Sequence, residues 1–213
     1  MQRTALARFT HRPSPVAIPP NSIGLTYLHS FLSADECATL IGPGAGSYSH
    51  SWMTRGISPI RTSDSALLSD SSPVVRAVRR RVTQLTGARD GLIEELQVVR
   101  YKPGQQFLPH YDSSSDRSRP RSHTIFVYLN DLPDASGGET EFTRVGVKFK
   151  PKCGDALFWE NRADRTSYHL DGEHAGRPPL RGVKYGQSLG SQLPAGSAGN
   201  CLSLPRSLRL RSL

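Results

Sequence analysis

Polar and apolar positions show no regular order in the first 21 residues, a proline-rich stretch that we expect to be a flexible lead-in. Ser22 to Leu28 carries enough apolar and β-prone residues for a first strand. Ser33-Ala34-Asp35-Glu36 then forms a capping-box signature, with Ser33 as N-cap, and predicts a short helix through Ile41. The next periodic segment opens at Ser72-Pro73. Val74, Val75, Val78, Val82 and Leu85 recur at helical spacing, and Gly87 suits the stop. Beyond it the period falls to two. Residues 96–101, 123–130, 145–149 and 155–160 read as strands, punctuated by Pro103-Gly104, Pro133, Gly137-Gly138, Pro151 and Gly154. Helices followed by many short strands predict an α+β fold with an antiparallel sandwich, jelly roll or barrel. From residue 187 to 213 there is no clean period, no aromatic and no acid, so a disordered basic tail is expected there. The expected domain therefore spans residues 22–186.

Composition narrows the class. The 213 residues suit one domain, and 36% of them are hydrophobic, near the globular norm. No apolar run approaches the roughly 18 residues needed to span a bilayer, so no membrane span is expected. The formal net charge of +9 attracts polyanions or acidic partners without deciding the fold. Its densest cluster, Arg76 with Arg79-Arg80-Arg81, lies in the second helix without aromatic neighbours; a solvated helix face is expected, and no specific nucleic acid. Cys37, Cys153 and Cys201 form no CxxC pair, which argues against a disulfide framework or a zinc knuckle. The amino-terminal stretch lacks the apolar core of a secretory signal; it is acid-free and bears arginines, but its prolines oppose an amphipathic transit helix.

His110-Tyr111-Asp112 is the sharpest chemical feature. On a strand, residues i and i+2 share a face, so imidazole and carboxylate can reach one metal while Tyr111 points away. A second histidine from elsewhere would complete a two-His-one-carboxylate facial triad, which holds Fe(II) with coordination positions left open. His123, His169 and His174 are the later candidates, and spacing alone does not choose among them. Alternation through Leu180-Arg181-Gly182-Val183-Lys184 places Lys184 on the face of Leu180 and Gly182. Opposite an iron site, that lysine is long enough to pair with the far carboxylate of a bound diacid.

The residues from Tyr101 through Pro103-Gly104 to His110-Tyr111-Asp112 resemble the metal-binding stretch of the prolyl 4-hydroxylases, a family of Fe(II)- and 2-oxoglutarate-dependent dioxygenases. Thr124 to Asn130, Gly137-Gly138-Glu139-Thr140-Glu141-Phe142 and Pro151 to Phe158 are similar to further motifs of that family. So is His174-Ala175-Gly176-Arg177-Pro178-Pro179 continuing to Gly182-Val183-Lys184, with Pro179 in place of a valine. Phe31 to Cys37, Arg61-Thr62-Ser63 and Glu95 to Tyr101 also match, so the resemblance covers about residues 22 to 185.

The resemblance implies a double-stranded β-helix, a jelly roll with supporting N-terminal helices. It implies that His110, Asp112 and His174 ligate Fe(II), leaving His169 an ordinary loop residue. It implies that Lys184, helped by the hydroxyls of Tyr101 and Thr140, binds 2-oxoglutarate, and that Glu94 and Arg121 stand near a peptide groove. The implied reaction consumes O2, oxidatively decarboxylates 2-oxoglutarate to succinate and hydroxylates a peptidyl proline at position 4; ascorbate rescues oxidised iron. The partner would be a proline-containing peptide or protein. Family members often reside in the endoplasmic reticulum. One departure stands out: after Lys184 the family continues with a tryptophan and a closing strand containing a second, whereas this chain runs Tyr185-Gly186-Gln187-Ser188-Leu189-Gly190. That departure leaves open a degenerate, non-catalytic jelly-roll module, and the charge leaves open an oxygenase acting on another substrate such as nucleic acid.

Overall fold

Ser33 caps its helix as its position predicts. Its hydroxyl accepts from the Glu36 backbone N–H at 3.1 Å, and the Glu36 carboxylate accepts from the Ser33 N–H at 3.0 Å. The pair opens helix α1 (Ala34–Ile41). Helix α2 (Pro73–Thr86) begins on its proline and ends at Gly87, whose φ of 68° is left-handed and suits glycine. The stripe of Val75, Val78, Val82 and Leu85 is buried. The arginine cluster departs from expectation, because two of its members are not solvated. Arg81 grips Glu36 of α1 through both guanidinium nitrogens, at 2.6 and 2.8 Å, while Arg79 pairs with Asp90 at 3.1 Å and donates to nearby carbonyls. Those arginines tie α2 to its neighbours.

The computed structural model describes residues 15–17, 22–42, 47–51, 59–112, 120–162 and 166–193. Its strands are β1 (Pro15–Ala17), β2 (Thr26–Leu28), β3 (Ser49–His50), β4 (Asp64–Leu67), β5 (Gln97–Tyr101) and β6 (Phe107–His110). They continue with β7 (Arg121–Tyr128), β8 (Thr140–Phe142), β9 (Val147–Phe149), β10 (Ala156–Glu160), β11 (His174–Gly176) and β12 (Lys184–Gln192). An eight-stranded sheet runs β1-β2-β10-β7-β12-β5-β4-β3, and a four-stranded sheet runs β6-β11-β8-β9, with antiparallel pairing throughout. The two sheets close on Tyr128, Phe142, Leu157 and Trp159, while the far face of the larger sheet packs Val98, Ile125, Phe158 and Leu189 against α1 and α2. Strand β10 is buried on both faces, so it reads as the continuous apolar run Ala156-Leu157-Phe158-Trp159. This is a jelly roll with helices on one outer face.

Two boundaries move. Residues 15–17 of the expected lead-in pair with β2 as an edge strand. More consequentially, the expected tail does not begin at residue 187. Strand β12 continues to Gln192 and lies between β5 and β7, with Gln187 opposite both Val98 and Val127. Its alternation escapes a hydropathy reading because, after Lys184, the same face carries the small residues Gly186, Ser188 and Gly190. A Cβ on Gly186 would stand 2.3 Å from the Phe126 ring. The opposite face presents Tyr185, Gln187 and Leu189 to the helices. Residues 194–213 of that expected tail lie outside the described residues.

Candidate active site

Antiparallel pairing of β6 with β11 sets His110 directly opposite His174, their ring centroids 4.3 Å apart. Each ring donates its Nδ1–H to the carbonyl two residues earlier: His110 to Leu108 at 2.8 Å and His174 to Gly172 at 2.9 Å. That fixes the tautomer, and both Nε2 lone pairs face the cavity. Asp112 lies just past the end of β6 rather than within it, so strand alternation is not what aims it. Its Oδ1 stands 3.6 Å from His110 Nε2 and 3.9 Å from His174 Nε2. Its Oδ2 accepts from the Thr124 hydroxyl at 2.6 Å and lies 3.3 Å from an Arg121 nitrogen, and Asn161 in turn donates to Thr124. Tyr111 points away, as expected, and donates to the Leu170 carbonyl.

Electrostatics favour metal-ready protonation states. Burial alone would raise the Asp112 pKa, but Arg121 and the histidines hold it well below the usual carboxylate range. Burial, reinforced by His110, pulls His174 down to about 4. At neutral pH Asp112 is therefore a carboxylate and His174 a neutral imidazole with no proton to shed. Two imidazole nitrogens and a carboxylate oxygen within 4.8 Å of one another form the donor set that suits Fe(II).

At the other end of the same pocket, β12 begins with Lys184, directly across the ladder from Tyr101 on β5. Lys184 is 1% exposed, and its ammonium sits 5.3–5.6 Å from the ring centroids of Tyr101, Phe126 and Tyr128. Among the described residues no carboxylate lies within ion-pair distance of it. Burial lowers its pKa to about 7, against the pull of Glu139. A buried cation without a carboxylate partner is a place prepared for an anion. Thr140 and Tyr101, both buried, line the pocket beside it. Gly138 has φ 79°, and a Cβ there would strike Leu132 at 2.5 Å and lie 3.8 Å from the lysine stem. The alternation assigned to Leu180 and Gly182 is not realised: both lie in a bend before β12, and Leu180 is 67% exposed.

The histidines left open by spacing now separate. His123 is buried, its ring stacked on Phe158 on the helix side. His169 precedes a short 3-10 turn, its Nε2 4.0 Å from Glu160, outside the triad. Glu94 and Arg121 come together with the site rather than on the open surface, joined by a two-point ion pair at 2.6 and 3.1 Å. A second cavity, bordered by Glu94, Glu95, Gln97 and Arg121, adjoins the pocket. Three residues of the site went unassigned in the sequence. Thr124 and Arg61, which lines the pocket and donates to Gln97 at 3.2 Å, stand in motifs quoted above, whereas Asn161 carries no local signal.

Comparison with known proteins agrees with this geometry. A family model described as the 2OG-Fe(II) oxygenase superfamily matches residues 96–188. The chain is 30% identical over 170 residues to a putative prolyl 4-hydroxylase of Acanthamoeba polyphaga mimivirus, covering 74% of this chain and 69% of that one. It is 36% identical over 136 residues to prolyl 4-hydroxylase subunit alpha-1 of Gallus gallus, covering 59% of this chain but only 26% of that longer protein. In structure it is similar to a viral collagen prolyl hydroxylase from Paramecium Bursaria Chlorella virus-1, solved as a 2OG complex. The TM-score is 0.66 at 26% identity, over 79% of this chain and 95% of that one. The chain thus belongs to the prolyl 4-hydroxylase family of the 2OG-Fe(II) oxygenases, dioxygenases that work with Fe(II), 2-oxoglutarate, O2 and ascorbate.

Proposed function

We propose that this enzyme hydroxylates peptidyl proline at position 4, coupled to decarboxylation of 2-oxoglutarate to succinate. One observation carries the reading: a buried ammonium without a carboxylate partner shares one pocket with a His-Asp-His triad. His110, Asp112 and His174 would hold Fe(II), each offering one donor atom. Bound iron supplies the O2 activation that no side chain here can perform. The residues do the rest by placement. Lys184 draws the far carboxylate of 2-oxoglutarate into the aromatic end, where a charge-assisted bond in a dry site is strongest, and the hydroxyls of Tyr101 and Thr140 complete its partners. That contact orients the keto acid towards the triad. Phe126 and Trp159 line the walls and exclude water. The second cavity, flanked by Glu94 and Arg121, provides room for peptide on one side of the target proline.

Proline-rich peptides incubated with enzyme, iron, 2-oxoglutarate and ascorbate test this by mass spectrometry. Gain of one oxygen on proline with equivalent succinate is expected. Succinate formation without any oxidised peptide would remove the proline assignment while leaving the oxygenase.

A further inference from the structure

The pair Glu94–Arg121 was expected beside the peptide, yet its closest engagement is with the triad. Arg121 Nε and Nη2 donate to the two Glu94 oxygens at 3.1 and 2.6 Å, while Nη1 stands 3.3 Å from Asp112 Oδ2. Both side chains of the pair are 18% exposed. Glu94 is itself anchored. Its N–H donates to the Gly190 carbonyl at 2.9 Å, its own carbonyl accepts from Arg79 at 3.1 Å, and Gln192 donates to its Oε1 at 3.3 Å. The pair lies against the backbone of β12 at Gly190. A Cβ there would come within 2.4 Å of Arg121 Nε and 2.6 Å of Glu94 Oε2, so close approach is what calls for glycine.

We propose that Arg121, braced by Glu94 across Gly190, is a positioning residue that sets the orientation of the Asp112 carboxylate. With Oδ2 held by Thr124 and Arg121, only Oδ1 faces the two imidazoles, and Asp112 offers one oxygen rather than two. A second bound oxygen would occupy a position that cosubstrate or O2 requires. Loss of Arg121 frees the carboxylate to turn, and leaves half-buried Glu94 without its cation. This rests on the metal reading of the triad.

The test compares Arg121→Gln, Glu94→Gln and Gly190→Val in the full chain, with Mn(II) as the probe. Mn(II) affinity is measured by titration calorimetry, the unfolding midpoint without metal by calorimetry, and peptide KM at saturating metal and 2-oxoglutarate. Supporting partners of metal ligands are typically worth roughly ten- to a hundredfold in metal affinity, and Arg121→Gln is expected to lose that much. Glu94→Gln and Gly190→Val, which leave Asp112 and its other partner Thr124 untouched, should weaken Mn(II) in the same direction by less. Peptide KM can move as well, because the pair also borders the second cavity, so Mn(II) affinity is the deciding readout. Should Arg121→Gln fail to fold, those two variants carry the test. Wild-type Mn(II) affinity in the soluble variants, with peptide KM raised instead, would make Arg121 a substrate contact and overturn the proposal. Failure of the wild-type enzyme itself to bind Mn(II) would overturn the metal reading, a result distinct from either.

Discussion

The two oxygens of Asp112 face different tasks, and its replacement by alanine removes both. Asp112→Ala is expected to abolish iron-dependent succinate formation, because a ligand and the charge balancing the metal vanish together; wild-type succinate yield would refute the triad. Lys184→Ala should leave metal affinity intact and weaken 2-oxoglutarate binding roughly ten- to a hundredfold, the worth of one charge-assisted bond of about 1.5–3 kcal/mol. Its lowered pKa gives that binding a pH dependence with a definite sign. Below about 7 the lysine is an ammonium and receives the anion; above it, binding must first recruit a proton. Apparent Kd for 2-oxoglutarate should therefore rise between about pH 6 and about pH 9, by up to about tenfold per unit, and flatten in Lys184→Met. Gln187 shows the opposite economy. It is fully buried facing the helices, and neither amide atom has a hydrogen-bond partner among the described residues. Gln187→Met should stabilise the enzyme by about 1 kcal/mol, raising the thermal midpoint by about 2–4 °C.

At the scale of elements, legibility tracked how local each signal was. Helix α1 declared itself through Ser33 and Glu36, which meet across one turn, and Ser33→Ala should cost about 1 kcal/mol in denaturant unfolding. Helix α2 was readable for the same reason, from Ser72-Pro73 to Gly87. Strands β5, β7 and β10 were legible because β-prone or apolar runs fill them, although each end fell within a few residues of its predicted place. Strands β6 and β11 are too short for periodicity, and only the residues they carry, His110 and His174, marked them. Strand β12 was missed because its alternation is one of size, imposed by Phe126 and Arg121, and hydropathy does not register size. The site followed the same rule. The triad and Lys184 were found through motifs, whereas the Asn161–Thr124–Asp112 relay joins three segments that only folding brings together. With β12 in place, amide exchange should be slowest across residues 186–191, and ready exchange there would contradict the strand.

Across the whole molecule, the +9 charge coexists with a site that needs its charges matched one by one. Arg79, Arg81 and Arg121 all spend their charge on specific carboxylates, so the net excess is carried by other basic side chains. Long-range order falls on β12. Of the described strands it is the last to be synthesised, yet it occupies an interior lane of the larger sheet, between two strands made long before it. Until residues 184–192 leave the ribosome, β5 and β7 face each other across an open slot, each with a row of unpaired amides. Helices and outer strands can gather early, but the sheet cannot close without β12, so refolding should fall in the slow, millisecond-to-second class of sheet-dominated domains. At high protein concentration the same slot would accept β12 from a second chain in competition with its own. Domain-swapped dimers, detectable by size-exclusion chromatography after refolding at high concentration, are the expected by-product of a sheet completed by its latest strand.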